Sequence, residues 1–186
     1  MRALIFAIIF IFSTSPFSLS SVISDIDKSN IELSTRFDGT SILVFGAISP
    51  ENDSTSLLIE IIGPSTSVNI RKKVQIWGIW VNKKIAHFKD IPSFYQISIS
   101  NPEHPVLIEI ENQKLKSLFY DFLEINSTPK DDNVVEQYYL ELTRLKKKLG
   151  KLSTFDEQVN IIDKKLFSHK VNLPKKIHPG IYKIKM

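Results

Sequence analysis

The apolar residues of this chain change their period twice, and that change limits the fold more than any other feature. From Ile31 to Phe37 they alternate with polar residues, the pattern of a half-buried strand. Asp38-Gly39 follows, and Asp-Gly between two strand-like runs predicts a hairpin that returns through Ser41–Ile48. Leu57–Ile62 reads as a third strand, closed by Gly63-Pro64. Ser67–Lys72 alternates again, and Val74–Val81 is rich in β-branched and aromatic residues. Ile85–Ile91 and Phe94–Ser100 complete a first block of short strands. The period then becomes helical at Leu115, Leu118, Phe119, Phe122 and Leu123, while Val106–Ile110 fits helix or strand equally. A second helix follows, capped by Ser127 or Thr128 with Pro129 in its first turn. Asp131 and Asp132 sit near its positive end and Lys146, Lys147 and Lys148 near its negative end. Val134, Val135, Tyr138, Leu142, Leu145 and Leu149 form its predicted apolar face, and Gly150 its stop. Strand character resumes at Val159–Ile162 and Leu166–Leu173 and ends in a strand from Gly180 to Lys185.

Short strands at this spacing predict a mostly β, immunoglobulin-like sandwich. Its first part spans residues 21–101, a helical insertion residues 102–152, and the last strands residues 153–186. Tyr182, just after Pro179-Gly180, stands where sandwiches of that type place a tyrosine whose hydroxyl ties back to backbone. The strand at Gly180 has the apolar pattern of an inner strand, so its partner is expected beyond Met186 and the chain is expected to be a shortened form.

The first 20 residues are expected to be a signal peptide. Arg2 supplies the charge, Ala3–Phe12 the apolar run, and Ser18-Leu19-Ser20 the small residues of a cleavage site. The run is too short to span a bilayer comfortably. An exported domain of this size often relies on disulfides, but cysteine is absent, so core packing must hold this one. The same absence removes thiol chemistry and thiolate zinc sites.

The formal charge is +4, far from the signature of a nucleic-acid binder. The sign is uneven: residues 21–142 carry 11 basic and 17 acidic side chains, residues 143–186 carry 12 and 3. The basic C-terminal part is read as a solvated face, or as a surface lying against anionic lipid.

No nucleophile elbow, phosphate loop or zincin helix occurs. His87, His104, His169 and His178 lack ligand spacing, and His169, between Ser168 and Lys170, is expected to face solvent. Asp25 and Asp27 lack a calcium-loop context. Asn52-Asp53-Ser54 and Asn126-Ser127-Thr128 match the glycosylation acceptor. No catalytic residues, metal ligands or cofactors are assigned. The candidate interaction surface is Trp77, Trp80, Phe94 and Tyr95. Residues three apart on a regular strand point to opposite faces, so Trp77 and Trp80 cannot both fill one core. Core packing is the favoured reading; an outward indole would instead anchor a partner, a glycan or a membrane interface.

Several segments resemble the Alph_Pro_TM family of alphaproteobacterial membrane proteins. They are Phe37-Asp38-Gly39-Thr40, Phe45-Gly46-Ala47, Arg71-Lys72-Lys73, Trp77-Gly78-Ile79-Trp80-Val81-Asn82, Pro92-Ser93-Phe94-Tyr95, Leu166-Phe167, Leu173-Pro174 and Pro179-Gly180-Ile181-Tyr182. The resemblance implies a signal peptide, a periplasmic β domain and a C-terminal transmembrane helix, which this sequence does not include. It also implies a non-enzymatic accessory role beside a membrane partner such as a transporter. A ligand- or glycan-binding module of the envelope is the alternative.

Overall fold

The computed structural model describes residues 21–49, 56–101, 105–119, 123–125, 132–154 and 158–186. The expected signal peptide and both glycosylation patterns lie outside them. The protein is mostly β, with three sheets and two helices among the described residues. In the first sheet, β2 (Thr40–Ile48) pairs antiparallel with β1 (Val22–Ile26) on one side and with β10 (Leu166–Leu173) on the other, and β10 pairs with β9 (Asn160–Ile162). In the second, β3 (Leu58–Ile62) lies between β11 (Lys183–Lys185) and β6 (Tyr95–Ile99), and β8 (Leu152–Thr154) pairs parallel with β6. The third is a long hairpin, β4 (Ser65–Ile76) and β5 (Ile79–Pro92), with β7 (Leu123–Ile125) on its β5 side. The helices are α1 (Pro105–Phe119) and α2 (Asp132–Lys148).

Two cores hold these layers together. The first is shared by the first and second sheets: Val44, Ile48, Phe167, Val171 and Leu173 meet Ile59, Ile61 and Phe94. The second lies on the opposite side of the second sheet, where Tyr95, Ile97 and Leu152 meet Leu115, Phe119, Val135, Tyr139 and Leu142 of the helices and Ala86, Phe88 and Ile91 of the hairpin root. All five residues of β6 are buried, so this strand has a core on each face. Each large side chain buried there contributes roughly 1.5–3 kcal/mol relative to exposure.

Several expectations are corrected. Ile31–Phe37 is not a strand; the segment loops, with a Phe37 N–H to Ser34 carbonyl turn, although Ile31 still packs on the first core. Gly39 does turn the chain, at φ +90°, but it leads into β2, whose two ladders are already taken by β1 and β10. Val74–Val81 is not one strand, because the chain reverses at Trp77-Gly78. The segment left open at Val106–Ile110 is helical, with Pro105 as the first residue of α1. Residues 102–152 also hold β7 and the start of β8, so that segment is not purely helical.

The second helix stops as expected. Gly150 has φ +64°, its N–H bonds to the Lys147 carbonyl, and the Lys151 N–H bonds to that of Lys146, the two closures of a Schellman cap. Its buried face differs from the predicted one. Val135, Tyr139, Leu142 and Lys146 point inward, whereas Leu145 and Leu149 are exposed. The inward set repeats at four, three and four residues, one stripe of an α-helix. Lys146 therefore leaves the basic solvent face assigned to it. His169 is likewise buried, in phase with Phe167, Val171 and Leu173 on β10. Its Nε2 lies 3.1 Å from Gln96 Nε2.

The final strand is paired on one side: Lys183, Ile184 and Lys185 sit opposite Ile62, Ile61 and Glu60. The Tyr182 hydroxyl donates to the His178 carbonyl at 3.0 Å, and its ring lies 6.1 Å from that of Phe94.

Candidate functional site at the tip of the long hairpin

The hairpin is anchored at one end and free at the other. Its root is held by Val68, Ile70, Ala86, Phe88 and Ile91 in the second core, and β7 pairs only with Ala86, His87 and Phe88. A register irregularity falls between Ile70 and Arg71, where the core contacts end. Bulges of this kind increase local twist and re-aim a strand. Beyond it, Arg71–Lys84 extends as a two-stranded arm of about 20 Å, at ~3.3 Å per residue.

The arm closes through a two-residue turn. Trp77 has φ 52° and Gly78 φ 80°, the left-handed pair that matches the twist of a tight hairpin. Glycine adopts this freely, whereas a tryptophan there costs roughly 1–2 kcal/mol. Gly78 has open space around it, so conformation rather than crowding calls for glycine. The Gln75 side-chain amide donates to the Gly78 carbonyl at 3.4 Å and braces the turn.

Trp77 is 97% exposed and Trp80 65% exposed. The favoured core reading of these indoles is thus corrected: both stand in solvent. Ile76, Ile79 and Val81 beside them are also exposed. Behind this apolar end, Arg71 faces Lys84 and Lys72 faces Lys83 across the two strands, with Lys73 opposite Asn82. All five cations are exposed. Like charges placed directly opposite are destabilising, and residues 61–89 contain no Asp or Glu to relieve them.

Phe94 and Tyr95 do not join the indoles. Phe94 is 2% exposed in the first core, and Tyr95 is fully buried in the second. Phe94 immediately precedes β6 and Tyr95 opens it, and their side chains enter different cores, so the four-residue aromatic surface divides into two core residues and a two-indole tip.

One acidic side chain, Glu60, and one lysine, Lys146, are buried among the described residues. Glu60, 5% exposed, accepts from the Tyr95 hydroxyl at 2.8 Å and lies 3.5 Å from Lys114 Nζ. Lys146, also 5% exposed, donates from Nζ to the Pro92 carbonyl at 2.6 Å and sits 5.5 Å from the Phe119 ring centre. Burial, and then the positive charge of Lys151, bring its pKa down to about 8. Burial followed by Lys176 lowers that of Lys151, and burial followed by Lys151 and Lys146 lowers that of His178. Elsewhere in the basic C-terminal part, Lys147 donates to Thr154 and Lys175 pairs with Asp38. A groove of about 460 Å³ runs between Lys28–Leu33 and Ile177–Tyr182 and is mostly apolar. No cluster able to hold a metal ion occurs among the described residues.

These features define a mostly β protein with two cores and a projecting, aromatic-tipped arm. The chain belongs to the family described as "Putative transmembrane protein (Alph_Pro_TM)", whose profile matches residues 21–186. No curated protein matches the chain, and no solved structure does. No helix among the described residues is long and apolar enough to cross a membrane.

Proposed function

We propose that this protein is an exported, periplasmic interaction module, non-enzymatic, that supports a membrane partner such as a transporter through the tip of its long hairpin. The observation that carries this reading is the pair of exposed indoles at the end of an arm whose root is fixed in the core. Tryptophan is enriched where proteins meet partners, because it combines a large contact area with one polar handle. A two-stranded arm with two tryptophans in water needs a reason beyond folding, since those indoles add nothing to either core. The apolar run and small-residue site at residues 1–20 support export. The shared core of two four-stranded sheets and the Tyr182 hydroxyl bond four residues back support an immunoglobulin-like sandwich.

A photo-reactive residue in place of Trp77, in cells that express the full chain, tests the reading. A single, reproducible adduct with one integral membrane protein is expected. Adducts that are absent, or scattered over many abundant proteins, would count against it. The glycan-binding alternative keeps the two indoles but loses Phe94 and Tyr95, which leaves a narrow platform. Acrylamide should quench both tryptophans; if it quenches neither, that alternative fails.

A further inference from the structure

We infer that the hairpin tip enters the headgroup layer of an anionic bilayer, with its apolar end among the upper acyl chains and its cations against lipid phosphates. The inference rests on the reading of the tip as the docking element, and names the surface it meets.

The order of residues along the arm argues for it. Ile76, Trp77, Ile79 and Trp80 form the outermost layer, with Val74 facing Val81 just behind. Each residue of a strand advances ~3.3 Å, so Lys73 to Arg71 stand about 10–16 Å behind Ile76. Lys83 and Lys84 stand at the same height on the other strand. Amphipathic elements that lie in a membrane interface bury their apolar part about 5–10 Å deep. An arm inserted to that depth would hold five cations level with the phosphates, and lysine stems can bend toward them.

The charge pattern selects the partner. Arg71, Lys72, Lys73, Lys83 and Lys84 are five of the 11 basic residues between 21 and 142, a stretch otherwise acidic on balance. They are gathered in two opposed ranks, and none pairs with a carboxylate among the described residues. This arrangement raises the energy of the free arm and is relieved by a dense layer of negative charge. Tryptophan at the end is the residue enriched at the membrane–water boundary. An anionic bilayer supplies an apolar interior and a dense layer of negative charge everywhere on its surface.

The experiment uses the full chain and its own fluorescence, because its two tryptophans are both in the tip. The chain is mixed with vesicles of phosphatidylcholine alone, or of phosphatidylcholine and phosphatidylglycerol in equal parts, with acyl chains brominated near the headgroup. A blue-shifted emission and strong quenching are expected on the anionic vesicles, weaker on the neutral ones, and fading as salt screens the surface. Replacing Lys72, Lys73, Lys83 and Lys84 together by Gln should weaken binding at least a hundredfold, at about fivefold per cation. Trp80→Ser, which keeps Trp77 as reporter, should weaken it roughly tenfold. All five substituted positions are solvent-exposed, and an unchanged urea midpoint checks that the variants fold. Binding to vesicles with no change in tryptophan emission would overturn the inference, because the chain would then be held elsewhere with its tip in water. Equal quenching on neutral and anionic vesicles, or in the lysine variant, would overturn it as well. A vesicle-negative chain that still gives one protein adduct at position 77 would sink the lipid inference and leave the module standing. Quenching with no protein adduct would do the reverse.

Discussion

Lys146→Met tests the energetics of the second core. Lys146 lies on the inward stripe of α2, 5% exposed, with its ammonium on the Pro92 carbonyl and near the Phe119 ring. Its pKa of about 8 stands against an ordinary value of 10.5, so the folded chain binds that proton more weakly than the unfolded one. Stability therefore rises with pH between the two values. Below about pH 8 the lysine is charged in both states and the full burden is present; above about pH 10.5 it is neutral in both and the burden is gone. A shift of this size corresponds to about 3 kcal/mol, of which about 2 kcal/mol should be recovered between about pH 7 and about pH 9.5. Methionine fills a similar volume without the charge and removes that slope. At neutral pH the relief is offset by the lost charged hydrogen bond, about 1.5–3 kcal/mol, and the lost ring contact, about 0.5–2 kcal/mol. Neutral-pH stability is thus a poor readout, and the difference in pH dependence is the sharp one. Urea denaturation of both chains between about pH 7 and about pH 9.5 measures it; groups that do not interact with Lys146 cancel in the difference, and His178, whose pKa Lys146 helps to lower, titrates below this window. Parallel curves for the two chains would refute the reasoning.

Three further changes test other contacts. Tyr182→Phe removes the hydroxyl bond to the His178 carbonyl while keeping the ring beside Phe94, and should cost about 1 kcal/mol in a thermal melt. Glu60→Ala removes the carboxylate that accepts from the buried Tyr95 hydroxyl and should cost about 1–3 kcal/mol; adding Tyr95→Phe should return part of that loss. Gly46→Ala places a methyl group against the Ile23 carbonyl and 2.8 Å from the Phe167 ring, so β1 should be the first segment released to a protease.

The secondary structure was legible where side chains obey a simple period. The close of α2 at Gly150 and the strands β3 and β10 follow from patterns that local sequence carries. The misreadings share a cause, which is that a pattern identifies a face but not what lies against it. Asp38-Gly39 carries strong turn chemistry, and Gly39 does adopt positive φ, yet the preceding segment found no free ladder beside β2. Trp77-Gly78 carries weaker chemistry, because tryptophan resists the left-handed region, yet it became the turn. Eleven cross-strand pairs along β4 and β5 fix that reversal, and no two-residue window contains them. His169 could have been placed by phase alone, since it shares the register of Phe167 and Val171. Lys146 could not, because its stripe reads as helix end and positive charge until Pro92 and Phe119 are brought beside it.

The same distinction separates the two tryptophans from the rest of the aromatic set. Phe94 and Tyr95 are adjacent in sequence and are consumed by two different cores, because β6 is buried on both faces. Trp77 and Trp80 are drawn into neither, because the core contacts of the hairpin stop at Ile70 and the arm runs on. The outer arm thus carries three burdens with no internal return: a tryptophan at positive φ, two ranks of facing cations, and a cap of exposed apolar side chains. Neither core includes a residue of the outer arm. A surface that is at once negatively charged and able to accept apolar groups would relieve the last two together, which is the physical reason to look for the arm's role outside the chain.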